Sequence, residues 1–290
     1  MEPKEKAEII IEALPYIKKY NNKIVVIKFG GNVITKSENV IEDIVLLKNI
    51  GIKPVIVHGG GPELTAKLKK LEITSKFING LRYTGENTIK IAEKVFNKIN
   101  NEITGKIIHH GTKSVNANDC IKVKQKNPEL GLVGEITEIN KEKLMETINS
   151  GLIPVISPIG TGNDKKSYNI NADTTAAHVA VSLNAEKFTI LTDVNGIIVD
   201  GKLLSHIDFN TAKKEIKKSN INKGMIPKVE ACIYAVKNKC PKAHLLNGLT
   251  PHSILLEIFT DKGIGTEIVY KNGHKKNYWD GKEVHNADLC

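Results

Sequence analysis

The 290-residue chain carries 42 lysine and arginine residues against 32 aspartate and glutamate residues, giving a formal net charge of +10. The N-terminus lacks an apolar signal core, no apolar run approaches the roughly 18 residues of a membrane span, and the four cysteines form no CxxC pair, which excludes the usual signatures of secreted, membrane and zinc proteins. Aromatic residues make up only 5%, with no basic stripe between them, so nucleic-acid binding is disfavoured and we expect a cytosolic protein that attracts small anions.

The first predicted elements are a helix over residues 7–20, with a kink expected at Pro15, and a buried strand over residues 23–29. The strand ends in the sequence KFGGN, which begins at Lys28. A lysine at the carboxyl end of a parallel strand, beside a glycine turn, lies where open α/β sheets bind ligands. Lys28 is therefore a candidate ligand-binding residue, and a lysine that only buries its aliphatic stem is the alternative.

A second glycine turn follows the next strand. After a helix over residues 39–49 and an apolar run at residues 55–57, three glycines at 59–61 precede Pro62 and an amphipathic helix. This βαβ unit predicts a parallel sheet with a right-handed crossover. Glycines let a ligand approach the main chain, and the free N–H groups of the helix start favour an anion. A plain connection without a ligand is the alternative.

The basic residues include one arginine, Arg82; the other 41 are lysines. An arginine in so lysine-rich a chain suggests a need for the planar guanidinium fork, which binds a carboxylate through two hydrogen bonds. A helix over residues 86–101 follows. Short β-like runs at residues 105–138 then predict hairpins inserted at one edge of the sheet, which would form a lid.

The sequence YNINAD, residues 168–173, precedes an apolar helix over residues 174–183. Asp173 is a favoured residue type for capping that helix, but the neighbouring asparagines also suggest a ligand or a lysine network. Further strands are predicted at residues 188–191, 243–246 and 268–270. We expect residues 271–290 to be disordered or loosely attached. Neither GxGxxG nor GxxxxGK[ST] occurs, so the dinucleotide fingerprint and the P-loop are absent.

Six motifs occur along the chain: KFGGN at 28–32, HGGGP at 58–62, NGLR at 79–82, YNINAD at 168–173, TDVNG at 192–196 and GMIPK at 224–228. From about residue 14 to residue 268 this set resembles the amino acid kinase family. The NGLR and YNINAD motifs are similar to those of the members that phosphorylate N-acetyl-L-glutamate.

The resemblance implies an α/β fold, a three-layer αβα sandwich with a mainly parallel central sheet, like that of carbamate kinase. It implies a kinked N-terminal helix at 1–22 for oligomerisation and regulation, an N-terminal lobe at 23–184 for N-acetyl-L-glutamate, and a C-terminal lobe at 185–270 for ATP, with Mg2+ carried by the nucleotide. The implied reaction phosphorylates the side-chain carboxylate of N-acetyl-L-glutamate to N-acetyl-L-glutamyl 5-phosphate, the second step of arginine biosynthesis.

The resemblance also implies residue roles. The catalytic residues would be Lys28, Lys228 and Asp173. Substrate would be bound by Gly60, Gly61, Arg82 and Asn169, and the phosphoryl group by Gly31 and Gly60. The nucleotide would be bound by Asp193, Val194, Asn195, Gly196, Ile197, Ile198, Asn220, Ile221, Asn222, Gly224 and Met225.

The ends of the chain resemble the arginine-inhibited branch of that family. This implies a homo-oligomer, either a dimer or a hexamer built as a trimer of dimers, with an arginine site formed by Tyr16, His252, Glu257 and Gly263. Two departures count against it, since Leu249 and Thr250 stand where a basic residue is usual and the chain continues well past Tyr270. The sequence leaves open whether a PII-type signalling protein binds.

Two alternatives remain from the sequence. The chain could be another amino acid kinase, acting on glutamate or aminoadipate, although NGLR and YNINAD disfavour this. It could instead be a non-catalytic arginine-sensing protein that keeps the fold. Such a protein would be expected to have lost Lys28, Asp173 or Lys228, and all three are present.

Overall fold

The computed structural model describes residues 2–35, 38–260 and 263–271. Within these ranges the helices are α1 (Pro3–Tyr20), α2 (Asn32–Thr35), α3 (Glu38–Asn49), α4 (Gly61–Lys70), α5 (Glu86–His109), α6 (Lys141–Asn149), α7 (Ala172–Ser182), α8 (Phe209–Lys217), α9 (Ile226–Lys237) and α10 (Ser253–Ile258). The strands are β1 (Ile24–Phe29), β2 (Lys53–His58), β3 (Phe77–Ile78), β4 (Leu81–Arg82), β5 (Ser114–Asn116), β6 (Ile121–Gln125), β7 (Gly134–Ile139), β8 (Ile153–Ile156), β9 (Ile159–Gly162), β10 (Ser167–Asn169), β11 (Lys187–Thr192), β12 (Ile198–Val199), β13 (Lys202–Leu203), β14 (His206–Asp208), β15 (Ala243–Asn247) and β16 (Thr266–Val269).

Eight of the described strands form one central sheet in the order β14-β16-β15-β11-β1-β2-β8-β5. Every neighbouring pair is parallel except β15 and β16, so β14 and β16 run opposite to the other six strands. The predicted α/β class with a mainly parallel central sheet is therefore confirmed.

Helices cover both faces of this sheet. Side chains along β1 alternate between the faces, as in any strand, so Val26 packs in one apolar cluster with α7 and α9, whereas Val25 and Ile27 pack in a second cluster with α3, α4 and α5. Because both faces of β1 are buried, its sequence is continuously apolar up to Lys28, as parallel central strands usually are. The result is the predicted three-layer αβα sandwich.

The prediction for residues 105–138 was wrong in two respects. Helix α5 continues through Gly105 to His109, because Ile103 and Ile107 extend its buried stripe while Gly105 lies on the exposed side. The hairpin β6–β7 exists, but it pairs with β9 and β10 in a separate four-stranded sheet of the described chain and does not extend an edge of the central sheet. Such long-range pairing is not encoded by the local sequence pattern.

Three cysteines, Cys120, Cys232 and Cys240, are buried free thiols. The division into lobes at 23–184 and 185–270 stays a prediction, since both stretches contribute strands to the same sheet. Of the tail predicted to be disordered, residues 272–290 lie outside the described residues. None of the described helices combines the length and apolarity needed to cross a membrane.

Candidate active site

A cavity of about 390 Å3 opens at the carboxyl ends of the central strands. In the sheet register Phe29 is opposite His58 and Lys28 is opposite Ile190, so the loops that follow β1, β2 and β11 meet at one edge. Nine predicted site residues line this cavity: Lys28, Gly31, Gly60, Gly61, Arg82, Asn169, Asp173, Asp193 and Lys228.

The centre of the cavity is a carboxylate between two lysines. Lys28 Nζ, on β1, lies 2.7 Å from Asp173 Oδ1, and Lys228 Nζ, on α9, lies 3.2 Å from Asp173 Oδ2. The side chains of Lys28 and Lys228 are 9% and 22% exposed, so part of each ammonium group faces the cavity. Three elements distant in sequence therefore place two positive charges beside one negative charge.

Asp173 is free to hold the lysines because another residue caps its helix. Asn171 is the N-cap residue of α7, and its Oδ1 atom accepts a hydrogen bond from the Thr174 N–H at 2.9 Å. Burial alone would raise the pKa of Asp173, but Lys28 and Lys228 outweigh burial and hold that pKa below its usual value. The sequence suggested helix capping, a ligand or a lysine network at Asp173, and the structure supports the lysine network.

At one glycine in each turn a side chain would not fit, because the other turn or helix α5 lies too close. A Cβ on Gly30 would lie 3.0 Å from the Gly59 Cα, and a Cβ on Gly60 would lie 2.7 Å from Ile99 Cδ1. Gly31 has φ of +54°, a conformation that suits glycine. Helix α4 begins at Gly61, one residue before Pro62, and the first N–H groups of a helix have no intrahelical acceptor. They are available to an anion in the cavity.

Arg82 reaches the cavity from β4 with its guanidinium already held by protein groups. Its Nη1 donates to Ser75 Oγ at 2.5 Å, while its Nη2 donates to Thr65 Oγ1 at 2.7 Å and to the Gly61 carbonyl at 3.2 Å. The guanidinium carbon lies 4.7 Å from the centroid of the Phe77 ring, a cation–π contact. These contacts fix the plane of the guanidinium, and a ligand carboxylate would have to use its remaining N–H groups or displace one of these acceptors.

Asn169, at the end of β10, also lines the cavity. Its Nδ2 donates to Thr84 Oγ1 at 3.2 Å, and its backbone N–H donates to the Leu132 carbonyl at 2.9 Å. The side-chain carbonyl thus has a fixed direction. Apolar side chains complete the cavity wall: Val33, Leu64, Phe77, Leu81, Phe96, Val133, Ile170 and Leu191.

The predicted nucleotide residues divide into those in the cavity and those beside it. Asp193 lines the cavity, whereas Val194, Asn195, Gly196, Ile197 and Ile198 continue away from it and Asn220, Ile221, Asn222, Gly224 and Met225 connect α8 to α9. Both stretches contribute to the same apolar cluster, in which Ile197 and Ile221 are buried and against which Met225 packs. Nucleotide binding by these two stretches stays a prediction.

The predicted arginine residues are only partly brought together. Gly263 adjoins Glu257, because a Cβ at Gly263 would lie 2.6 Å from Glu257 Oε2. His252 instead lies at the start of α10, where its Nδ1 is 2.7 Å from Asp43 Oδ1. Tyr16 is buried on α1. The carboxylate of Glu257 already binds Lys187 Nζ at 2.9 Å and the Ile264 N–H at 2.8 Å.

Sequence reasoning assigned no role to several residues at the site. Thr65 and Ser75 hold Arg82, Asn171 caps α7, and His58 hydrogen-bonds the glycine turn. For His58 a signal existed, since the histidine directly precedes the three glycines. For Thr65 and Ser75 there was none, because hydroxyl residues in polar segments are common and only the fold brings them to Arg82.

The chain matches the amino acid kinase family over residues 23–247. A curated relative from Alkaliphilus metalliredigens (strain QYMF), named acetylglutamate kinase, is 44% identical over 304 aligned residues, which cover 100% of this chain and 96% of the relative.

Two solved structures show the same fold. N-acetylglutamate synthase from Neisseria gonorrhoeae, complexed with coenzyme A and N-acetyl-glutamate, is 24% identical with a TM-score of 0.86, over 92% of this chain and 64% of that chain. Carbamate kinase from Giardia lamblia bound to citric acid is 17% identical with a TM-score of 0.66, over 86% of this chain and 98% of that chain. At these identities the likeness concerns the fold alone.

Proposed function

Because this chain belongs to the amino acid kinase family, we propose that it transfers the γ-phosphoryl group of ATP to the side-chain carboxylate of N-acetyl-L-glutamate. The product would be N-acetyl-L-glutamyl 5-phosphate, which places the reaction in arginine biosynthesis. The observation that carries the proposal is the pair of lysines held by Asp173 in the same cavity as Arg82 and the two glycine turns. The name of the curated relative supports the choice of substrate.

Phosphoryl transfer depends on positioning and charge neutralisation more than on covalent help from the protein. The attacking carboxylate is already ionised at neutral pH, so no general base is required. Lys28 and Lys228 would stabilise the negative charge on the transferring phosphoryl group and on the departing ADP. Asp173 would keep the two ammonium groups at a fixed separation, and N–H groups of Gly31 and Gly60 would bind phosphoryl oxygens.

Arg82 and Asn169 would orient the acceptor substrate. The guanidinium would bind the α-carboxylate, and the Asn169 side chain would hydrogen-bond the main-chain end of the substrate. Gly60 and Gly61 would donate N–H groups to the carboxylate that attacks. Since Arg82 is the one arginine in the chain and its plane is fixed by Ser75 and Thr65, it is suited to orienting a carboxylate.

ATP would approach from the side of β11, with its metal ion carried as MgATP. Asp193 offers a carboxylate, an oxygen ligand of the kind that Mg2+ prefers, where the cavity meets the predicted nucleotide segments. Adenine and ribose would lie along residues 194–198 and 220–225. The burial of Ile197 and Ile221 in one apolar cluster, with Met225 packed against it, supports this, because both segments are fixed to the same core.

The proposal is tested by ATP-dependent hydroxamate formation with N-acetyl-L-glutamate, with L-glutamate and L-2-aminoadipate as competing acceptors. We expect Lys28→Ala to lower kcat by at least roughly 100-fold, as for removal of one oxyanion donor. Lys23→Ala is the matched control, because Lys23 is a half-exposed lysine next to β1 and outside the cavity lining. Absence of activity with N-acetyl-L-glutamate, or a preference for either competing acceptor, would overturn the assignment.

Arg82 should act mainly on substrate affinity. Arg82→Ala should raise the KM for N-acetyl-L-glutamate by roughly 100-fold, the equivalent of about 3 kcal/mol for a hydrogen-bonded charge pair, with a smaller change in kcat. Arg82→Lys should recover little of the loss, because an ammonium group cannot form the planar fork. A KM for N-acetyl-L-glutamate in Arg82→Lys equal to that of the wild type would show that a positive charge alone is sufficient at this position.

Regulation by arginine and assembly into a homo-oligomer are also proposals. The contact between Glu257 and Gly263 supports an effector pocket at α10, and α1 exposes four large apolar side chains that a partner subunit could cover: Ile9, Ile10, Ile11 and Leu14. Arginine would have to displace Lys187 from Glu257 to bind that carboxylate. Activity unaffected by millimolar arginine, or a monomer by analytical ultracentrifugation, would refute the respective proposal.

A further inference from the structure

The imidazole of His58 is fully buried at the end of β2, directly before the glycine turn, and none of the proposed catalytic steps uses it. Its Nδ1 atom lies 2.8 Å from the carbonyl oxygen of Gly59. A carbonyl oxygen only accepts hydrogen bonds, so Nδ1 must carry the proton. The geometry therefore selects one tautomer of the ring.

The other ring nitrogen is left without a partner. Nε2 is buried and has no hydrogen-bonding group among the described residues, and the edge of the ring faces Phe96 at a centroid distance of 6.5 Å. Burial, aided by the charge of Lys28, lowers the pKa of His58 to about 4, so the ring is neutral. A phenylalanine at this position would have no unpaired nitrogen. What the imidazole adds relative to a phenyl ring is the hydrogen bond from Nδ1–H to the Gly59 carbonyl.

That bond fixes a peptide unit of the glycine turn. The Gly59 carbonyl and the Gly60 N–H belong to one planar trans peptide and point in opposite directions. The Gly59 N–H also donates to the Phe29 carbonyl at 2.8 Å, so Gly59 is held on both sides. With its carbonyl directed at the buried His58 ring, the peptide directs the Gly60 N–H toward the cavity that Gly60 lines.

The Gly60 N–H has no acceptor within the described part of the chain, so it is available to a ligand. A peptide between two glycines is otherwise easily rotated, because both residues reach a wide range of φ and ψ. A rotated peptide would present the Gly59 carbonyl, a partial negative charge, to an anionic substrate. Control of this single peptide therefore decides whether the turn attracts or repels a carboxylate.

We propose that His58 is a positioning residue, whose Nδ1–H bond to Gly59 keeps the Gly60 N–H directed at the carboxylate of N-acetyl-L-glutamate and at the transferring phosphoryl group. This rests on the proposed function. His58 itself does not touch the substrate, since it lies behind the turn and does not line the cavity.

The test compares His58→Phe, which keeps a buried aromatic ring, with His58→Asn, whose side-chain N–H replaces the Nδ1–H. We expect His58→Phe to lower kcat/KM for N-acetyl-L-glutamate by roughly 10- to 100-fold, as for a small misplacement of a binding group, while the KM for MgATP and the thermal unfolding midpoint stay close to wild type. His58→Asn should stay within roughly tenfold of wild type, because its amide is a hydrogen-bond donor. His178→Phe, away from the cavity, is the control.

Two results would overturn the proposal: a folded His58→Phe protein with wild-type kcat/KM, or an Asn variant as impaired as the Phe variant. If both variants fail to fold, 15N NMR of histidine-labelled wild-type protein decides, because the proposal requires the neutral Nδ1–H tautomer at pH 7 and the Nε2–H tautomer would refute it. The NMR measurement needs no substrate. It therefore separates a failure of this proposal from a failure of the proposed function, which the wild-type assay alone reveals.

Discussion

Strand β11 connects two groups of charged side chains that differ in the balance between lysines and carboxylates. At its end, Thr192 lies in the cavity with Lys28, Asp173 and Lys228. At its start, Lys187 belongs to a far-end network in which Glu257 and Glu267 bind Lys187, Lys242, His206 and His244. In the cavity two lysines share one carboxylate, whereas in the far-end network two lysines meet two carboxylates.

The difference in balance explains what each group can do. In the far-end network each lysine has a carboxylate partner, Lys187 with Glu257 and Lys242 with Glu267, so the lysine and glutamate charges balance. Burial, with the charge of Lys187, lowers the pKa of His244. His244 and Lys187 hold the pKa of Glu257 well below its usual value, against the effect of burial. A closed network stabilises the fold. The cavity centre keeps one positive charge in excess, which an incoming phosphoryl group neutralises.

The largest effect should come from removing the charge that holds the two lysines. We expect Asp173→Asn to lower kcat in the hydroxamate assay by roughly 1000-fold, the upper end for loss of one preorganised group. The reason is that the ammonium groups of Lys28 and Lys228 lose the carboxylate that fixes their positions. Asp119→Asn, at an exposed carboxylate on the surface, is the matched control. An Asp173→Asn enzyme within tenfold of wild type would show that the carboxylate charge does not organise the centre.

The corresponding change in the far-end network should act on stability. Lys187→Met replaces a lysine whose side chain is 2% exposed with an apolar residue of similar length and leaves Glu257 without its ammonium partner. We expect the free energy of unfolding to fall by about 3 kcal/mol, as for breaking a buried ion pair. Urea denaturation at pH 7 measures it. The kcat of the folded variant should stay near wild type, and a loss of kcat like that of Asp173→Asn would remove the distinction between the two groups.

Burial, with the positive charge of Lys28 as a smaller contribution, lowers the pKa of His58. The pKa of its folded-state ring is about 4, below the ordinary value of 6.5, so between these values the unfolded chain binds a proton that the folded chain does not. Stability is therefore lost as the pH falls, by about 2 kcal/mol between about pH 7 and pH 5 from this residue. In His58→Phe this part of the pH dependence should be absent. Urea denaturation of both proteins at the two pH values gives the difference, and parallel profiles would contradict the expected neutral ring.

Local signals in the sequence were enough to predict much of the cavity. Glycine turns at the ends of apolar strands predicted the meeting of the loops after β1 and β2, because a parallel sheet places those ends at one edge. The prediction that Arg82 binds a ligand had a chemical basis, since a guanidinium forms two parallel hydrogen bonds with a carboxylate and the ammonium group of a lysine does not. The residues around Asp173 suggested a lysine network, but the assignment of a role to Lys228 required the family resemblance.

Other parts depended on contacts that the sequence does not encode locally. The capping role could have fallen to Asp173 or to Asn171, and the structure shows that Asn171 caps α7. The pairing of β6 with β9 joins segments separated by the two strands β7 and β8 and the helix α6, and no local pattern indicates that partner. His58 was visible beside the glycines, but its role depends on a planar peptide whose orientation only the folded chain defines.

The smallest effect should come from an ion pair that matches the far-end network in distance but not in burial. Lys122 Nζ lies 2.9 Å from Glu138 Oε2, the same separation as that between Lys187 and Glu257, yet the side chains of Lys122 and Glu138 are 56% and 53% exposed. Lys122→Met should change the free energy of unfolding by at most about 0.5 kcal/mol, because solvent already screens the pair. With the same substitution and the same distance in both places, burial is the difference that remains. Equal losses for Lys122→Met and Lys187→Met would mean that loss of the lysine itself, and not burial of its partner carboxylate, sets the cost.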